Sequence, residues 1–223
     1  VVNTGGQDHR WLGNGYWQAQ GAVIIASADA VADQQARGSL QMSALSQLLG
    51  AGLEGTEPST ADIVFEGQYA FDLGGVSFEI LHPGAAHTPG DSFVWVAQMG
   101  TVFTGDIVYV ERILGVGDQS SITDWPASFE AIAALSPAHV VPGHGHATTL
   151  EHATRDTYDY LMNLRTQIGA LLDEGGDIMA APHVDQSAFT YLDQFESLAG
   201  RNAQTAFQQM EWEHERERRM PAS

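Results

Sequence analysis

The stretch Ala86-His87-Thr88-Pro89-Gly90-Asp91 places an imidazole, a hydroxyl and a carboxylate within one short loop. It lies between residues 76–80 and residues 93–97, two runs whose side chains alternate as in strands. Gly90 lets the backbone turn sharply, and the Thr88 hydroxyl can hold the loop by a local hydrogen bond. Imidazole and carboxylate are the groups that bind a divalent metal ion when a protein offers no thiolate.

Two further loops carry the same kinds of group, and each follows a β-type run. Thr104-Gly105-Asp106 comes directly after Val102-Phe103, and Pro142-Gly143-His144-Gly145 comes directly after Val140-Val141. Either stretch alone is most often an ordinary turn or loop, so the indication comes from the three loops together. Loops at strand ends are where a rigid sheet commonly holds reactive side chains. We therefore expect His87, Asp106 and His144 to converge at one edge of the sheets.

The hydrophobic pattern around these loops predicts an α/β fold in which strands are followed by helices twice over. Gly74-Gly75 supplies a hairpin turn between two of the predicted strands. A helix is expected over residues 28–37 with Gly38 as its stop, and a second helix over residues 43–49. The predicted strands cover residues 22–26, 63–65, 69–71, 76–80, 93–97, 101–103 and 140–141.

Three helices are predicted in the second half of the chain. One begins at Asp124, with Pro126 in its first turn. Another opens at a capping box formed by Thr148 and Glu151, and ends at Gly175-Gly176. A tail over residues 185–223, helical from Ser187 onward and increasingly charged, completes a single domain of residues 1–223.

The composition limits the partners of this domain. The formal net charge is -19, and all nine basic residues are Arg, a field that repels nucleic acid and anionic membranes. The chain has no Cys, which excludes disulfides, thiolate ligands and a cysteine nucleophile. No run approaches the roughly 18 apolar residues of a membrane span. We expect a soluble, acidic protein, cytoplasmic or exported, that acts on a small molecule and binds neither nucleic acid nor membrane.

Taken together, the three loops resemble the metal motifs of the metallo-β-lactamase superfamily, and the resemblance runs from Val1 to about Glu174. The His87 loop resembles the second His motif, the Asp106 loop the metal-bridging Asp motif, and the His144 loop the last His motif. The resemblance implies an αββα sandwich of two mixed sheets with outer helices. Because the superfamily places several strands before the Asn-Thr strand, it also implies a fold that is incomplete at the N-terminus.

The resemblance breaks at the first metal motif, where the superfamily has His-x-His-x-Asp-His after Asn-Thr. Here Asn3-Thr4 is followed by Gly5-Gly6-Gln7-Asp8-His9-Arg10. In the gapless register Gly5 and Gln7 replace the two His, while His9 and Arg10 replace the Asp-His pair. Arg10 then points towards Asp106 and His144. In a register shifted by one residue, Asp8-His9 keeps the Asp-His pair and Arg10 turns outward to solvent. We favour the shifted register because it keeps a chemically sensible pair.

Either register leaves ligands for one metal ion rather than two. The candidate catalytic residue is Asp106, which is also a candidate ligand. Arg10 cannot bind a metal, because a guanidinium is always charged and only donates hydrogen bonds. Without a metal, Arg10 could instead pair with Asp106. The candidate metal ligands are His9, His87, Asp106 and His144, with Asp8 and Gln7 in reserve.

The residues and the resemblance together predict a metal-dependent hydrolase with one zinc ion. It would attack an ester, thioester or amide/lactam-type bond with hydroxide that the metal generates at neutral pH. A catalytically inactive relative, which keeps the fold to bind a ligand or partner, is the first alternative. A metal-binding oxidoreductase is the second, because His and Asp ligands suit iron as well as zinc.

Overall fold

The computed structural model describes residues 1–219, and its strands form two sheets. The first sheet has three strands in chain order, and all of them run parallel. Val2 pairs with Ile25 and Asn3 with Ala26, so the Gly-rich turn after Asn3 leaves from the carboxyl end of this sheet. The three strands are β1 (Val2–Asn3), β2 (Ile25–Ser27) and β3 (Ile63–Phe65).

The second sheet has five strands in the order β4-β5-β6-β7-β8. Its first three pairings are antiparallel, whereas β7 and β8 run parallel. The carboxyl ends of β7 and β8 therefore meet at one edge, and the backbone N–H of Thr104 donates to the carbonyl of Val141 at 3.0 Å. The strands are β4 (Gln68–Leu73), β5 (Val76–Leu81), β6 (Phe93–Val96), β7 (Thr101–Phe103) and β8 (His139–Val141).

Seven α-helices accompany the sheets within residues 1–219. The predicted αββα fold with two sheets is confirmed. The first sheet differs from the prediction in one respect, because it is parallel throughout rather than mixed. Among these described residues, no helix has both the length and the apolar character needed to cross a membrane. A π-helical segment, Thr154–Tyr158, joins α5 to α6. The helices are α1 (Asp8–Trp11), α2 (Asn14–Ala19), α3 (Ala28–Leu49), α4 (Trp125–Ala134), α5 (Leu150–Ala153), α6 (Asp159–Asp173) and α7 (Phe195–Arg219).

The buried apolar residues form two clusters, one on each side of the second sheet. The smaller cluster joins Ile25 and Phe65 of the first sheet to Ile80 and Val94 of the second, so it lies between the sheets. The larger cluster packs the other face of the second sheet against α4, α6 and α7. Burial of both faces explains why the second sheet holds its carboxyl-end loops rigidly.

α3 runs unbroken through Gly38, so the predicted stop at Gly38 and the separate helix over residues 43–49 are wrong. The cause is a tertiary contact: a Cβ at Gly38 would lie 3.2 Å from the ring of Trp11, which is buried against α3. The indole N–H of Trp11 also donates to the side-chain oxygen of Gln41 at 2.8 Å. Packing of the indole therefore outweighs the cost of placing glycine inside a helix, which is about 1 kcal/mol relative to alanine.

We expect Gly38→Leu to destabilise the fold by about 1–3 kcal/mol, because the added side chain has to displace the Trp11 ring. The measurement is the free energy of unfolding in urea. Ser39→Leu is the matched control, since Ser39 is exposed one residue further along α3 and the change should stay within about 0.5 kcal/mol. Equal losses of stability in Gly38→Leu and Ser39→Leu would show that the packing of Trp11 does not require glycine at position 38.

Two other predicted boundaries are corrected by backbone pairing. Thr149, not Thr148, caps α5, and its hydroxyl accepts from the N–H of His152; the backbone of Thr148 is already bonded to Val140. The tail is not continuously helical from Ser187, since α7 begins at Phe195. Before it, Asp193 exchanges backbone hydrogen bonds with residues 111 and 113. Residues 220–223 of the predicted tail lie outside the described residues.

The first turns of α3 contact two of the motif loops directly. The Ser27 hydroxyl caps α3 by accepting from the N–H of Ala30 at 3.1 Å, and it donates to the carbonyl of Gly90 at 2.8 Å. A Cβ on Gly90 would overlap the backbone of Ala30, and one on Gly6 would overlap the carboxyl of Asp33. Glycine at these two positions therefore lets the first and second motif loops lie flat against one helix.

Candidate metal centre

Three separate elements bring His9, Asp106 and His144 together. His9 lies on α1, Asp106 on the turn after β7, and His144 on the loop after β8. The Nε2 atom of His9 is 3.5 Å from Oδ2 of Asp106, and that of His144 is 3.7 Å from Oδ1. One potential ligand atom from each of the three residues lies within 4.8 Å of the other two. Two imidazoles and a carboxylate are a donor set suited to a divalent ion.

Asp106 is the buried centre of this cluster, with 3% of the residue exposed. Its Oδ2 atom is buried and has no hydrogen-bond partner. Burial alone would raise the pKa of Asp106, but the neighbouring His9 and the charge of Arg10 outweigh it and hold that pKa below its usual range. Nε2 of His9 and Nη1 of Arg10 each lie 3.5 Å from this ionised oxygen, but neither donates a hydrogen bond to it, and a bound cation would satisfy it. The residues therefore fit a metal ion.

Asp8 orients His9 rather than joining the cluster. Oδ1 of Asp8 accepts from the backbone N–H of His9 at 2.7 Å and lies 3.2 Å from Nδ1 of its ring. A carboxylate on Nδ1 assigns the proton to that nitrogen and turns Nε2 towards Asp106. The contact with Asp106 raises the pKa of His9, although partial burial opposes it. The carboxylate of Asp8 is thus occupied, which is the physical reason that this reserve ligand lies outside the cluster.

His144 is held between an aromatic ring and a cation. The Tyr109 ring stacks on its imidazole, with centroids 4.4 Å apart and an interplanar angle of 22°. Nη1 of Arg112 is 3.4 Å from Nδ1 of His144. Burial lowers the pKa of His144 against the attraction of Asp106, and the charge of Arg112 lowers it further. His144 is therefore neutral near pH 7, the form in which imidazole binds metals.

His87 is close to the cluster but outside it. Its ring contacts Tyr109 and Trp125, with centroids 5.7 and 5.5 Å away, and Nδ1 faces the carbonyl of Gly115 at 2.9 Å. That carbonyl assigns the proton to Nδ1 and leaves Nε2 free to accept. Burial lowers the pKa of His87, so the ring is neutral. Of the three residues expected to converge, the structure brings Asp106 and His144 together and adds His9 in place of His87.

Arg10 points into the protein, so the favoured register, in which it turns outward to solvent, is wrong. Only 5% of its side chain is exposed. Nη1 donates to Oδ1 of Asp91 at 2.7 Å and lies 3.5 Å from Oδ2 of Asp106. His9 faces Asp106 as well, which agrees with the gapless register, where His9 and Arg10 stand at the Asp-His pair. Gln7, the other reserve ligand, lies just before α1; its side-chain oxygen is buried without a hydrogen-bond partner and is not bonded to the cluster.

The sequence profile of the metallo-β-lactamase superfamily matches residues 7–144. The chain belongs to this superfamily. A comparison with curated protein sequences found no match.

Solved structures with the same fold include lactamases and a sulfatase. A metallo-β-lactamase from Pontibacter korlensis is 22% identical with a TM-score of 0.56, over 73% of this chain and 68% of that one. The metallo-β-lactamase IND-7 is 18% identical with a TM-score of 0.57, over 73% and 67%. The stereoselective inverting sec-alkylsulfatase Pisa1 from Pseudomonas sp. is 14% identical with a TM-score of 0.67, over 93% of this chain and 40% of that one. At these identities the similarity establishes the fold alone.

The departure from the superfamily's motifs that the sequence indicates lies at the first metal motif. Gly5 and Gln7 stand where the motif has its His-x-His pair, and Arg10 fills the interior beside them. The Asp and last-His motifs, by contrast, place their side chains at the centre as the resemblance implied. The candidate metal centre thus combines His9 from the first motif loop with Asp106 and His144.

Tyr109 and Arg112 contact the centre and were missed from the sequence. Tyr109 stands in the apolar run of residues 107–110, which gives no sign that its ring faces His144. Its backbone is fixed from far along the chain: the Thr157 hydroxyl accepts from the Tyr109 N–H at 3.0 Å and donates to its carbonyl at 2.5 Å. Thr157 lies in the π-helical segment, whose irregular turn sequence periodicity does not reveal.

Proposed function

We propose that this chain is a hydrolase that uses one divalent metal ion. The proposed ion is zinc, and its ligands are His9, Asp106 and His144. The observation that carries the proposal is the buried Oδ2 of Asp106, which accepts no hydrogen bond and lies in one cluster with two imidazoles. Membership of a superfamily with a hydrolase-type fold supports it. Such an ion would supply Lewis acidity and a nucleophile at neutral pH for an ester, thioester or amide/lactam-type bond.

Different residues of the chain have different roles at this centre. Asp106 supplies the negative charge, and its low pKa keeps that charge present over the neutral range. Asp8 fixes the ring of His9, and Tyr109 fixes the ring of His144 by stacking. Such orienting contacts typically change metal affinity or activity 10–100-fold when removed. Iron would suit the same ligands, so the metal that accompanies the purified protein decides between zinc and iron.

A cavity beside His9 supports a substrate with an aliphatic group. It is an open cavity of about 350 Å³, and Asp8 and His9 are among the residues that line it. Apolar pockets with a few polar groups at one end are typical of small-molecule sites. Asp8 and the net charge of -19 disfavour an anion there, so the proposed substrate is neutral. The leucines that line the cavity are Leu12, Leu45, Leu49 and Leu53.

The test is elemental analysis of the purified protein together with hydrolysis of p-nitrophenyl esters of increasing acyl length. We expect close to one zinc per chain, and hydrolysis that a chelator removes and zinc restores. Butyrate and hexanoate esters should react faster than acetate. Protein that takes up no divalent metal from a zinc-supplemented buffer, or hydrolysis that survives chelation, would refute the proposal.

One contact favours the second candidate function, in which the protein binds a ligand or partner without catalysis. The guanidinium of Arg112 is only a donor, so its position at Nδ1 of His144 favours a proton on Nε2, the atom that faces Asp106. A metal needs Nε2 without a proton, and ligating histidines normally donate Nδ1–H to an acceptor. Arg112 therefore works against metal binding at His144.

We expect Arg112→Gln to tighten zinc binding on the order of tenfold, because glutamine offers an acceptor to Nδ1 and removes a positive charge. The measurement is the zinc dissociation constant from competition with a chromophoric chelator. Arg201→Gln removes the same charge from an exposed position on α7 and should leave the constant unchanged. Weaker binding in Arg112→Gln would mean that Arg112 supports the ligand instead.

A further inference from the structure

The guanidinium of Arg10 is buried and bonded on all three of its nitrogens. Nη1 donates to Asp91 at 2.7 Å, and Nε donates to the Thr4 hydroxyl at 3.2 Å. Nη2 donates to the same hydroxyl at 3.1 Å and to the carbonyl of Thr4. Asp91 is fully buried and is itself fixed by the N–H and hydroxyl of Thr88, at 2.8 and 2.7 Å. This positive charge is therefore held in one place, 3.5 Å from Oδ2 of Asp106.

The guanidinium occupies the space that a side chain at position 5 would need. A Cβ built on Gly5 would overlap the central carbon and both terminal nitrogens of Arg10. Gly5 is not among the glycines with a left-handed backbone, so its conformation would accept any residue. Gly5 is therefore glycine for reasons of space alone, and the space is filled by Arg10.

We propose that the Arg10 guanidinium is a built-in cation that takes the place of a second metal ion beside Asp106, with Gly5 as the partner substitution that makes room for it. Gly5 stands at the position of the first His of the His-x-His pair. A metal ligand is therefore absent where the fixed charge of Arg10 is present. The charge lies between two carboxylates, with Nη1 2.7 Å from Oδ1 of Asp91 and 3.5 Å from Oδ2 of Asp106. A second divalent ion would be repelled at this short distance.

The first test is a double-mutant cycle between Gly5→Ala and Arg10→Met, read as the urea midpoint of unfolding. Gly5→Ala should lower the midpoint clearly when Arg10 is present, and little or not at all when Arg10→Met has vacated the space. Gly52→Ala is the control, because a Cβ there meets only Leu49 at an ordinary 3.8 Å. Additive effects of the two changes would overturn the proposal. The cycle needs no metal, so it stands apart from the proposed hydrolase function.

The second test counts zinc ions per chain after gel filtration. Gly5→His with Gln7→His restores the missing pair while Arg10 stays; the triple variant adds Arg10→Ala. We expect one additional equivalent of zinc in the triple variant relative to the double variant. An additional equivalent in the double variant, or none in the triple variant, would overturn the proposal. A wild-type protein without zinc would count against the proposed function, whereas the difference between the two variants would still decide this inference.

Discussion

Asp106→Asn should weaken zinc binding by more than about 100-fold and reduce ester hydrolysis to the same extent, since the only carboxylate of the cluster loses its charge. The shape of the side chain is retained, so the effect reports charge rather than a cavity. The measurements are the zinc dissociation constant and kcat/KM for the ester that the wild type hydrolyses fastest.

Asp8→Asn is the graded control for this prediction. It leaves all three cluster residues in place and removes only the charge that orients His9, so a loss of about tenfold is expected. Zinc affinity within tenfold of wild type in Asp106→Asn would show that this carboxylate is not a ligand. An Asp8→Asn loss as large as that of Asp106→Asn would place Asp8 among the ligands.

Asp91→Ala is expected to cost about 3–5 kcal/mol of folding free energy, because it leaves the charge of Arg10 buried without its closest partner. It also leaves two donors of Thr88 unpaired. The free energy of unfolding in urea measures the effect. Asp29→Ala is the matched control: the side chain of Asp29 is 65% exposed and meets His82 at 3.1 Å, so the change should cost at most about 1 kcal/mol. Comparable losses in the two variants would contradict a dominant buried ion pair.

The sequence was a good guide for the two polar loops that directly follow β7 and β8. The carboxyl ends of β7 and β8 meet because the two strands are parallel neighbours, and Asp106 and His144 follow from that placement. His87 follows no such rule. Its loop joins two antiparallel strands, and its ring is directed by the carbonyl of Gly115, a partner 28 residues away.

The first motif could not be resolved from the sequence because the choice between the two registers depended on the direction of the Arg10 side chain. Residues 8–11 form one helical turn, in which neighbouring side chains are only about 100° apart. His9 and Arg10 can therefore both face Asp106 while Asp8 bonds to the His9 ring. Gly38 was misread for a related reason, since the space that it provides for Trp11 is a tertiary contact that local sequence does not reveal.

The seating of the motif loops on α3 has a thermodynamic consequence. Ser27 and Gly90 fix one loop, and Gly6 fixes the other, its carbonyl accepting from the side chain of Gln41 at 2.9 Å. A ligand that enters this centre meets walls already in their final positions, so little loop entropy is lost on association. We expect a ligand of this centre to be selected by a preformed shape rather than by closure of the loops around it.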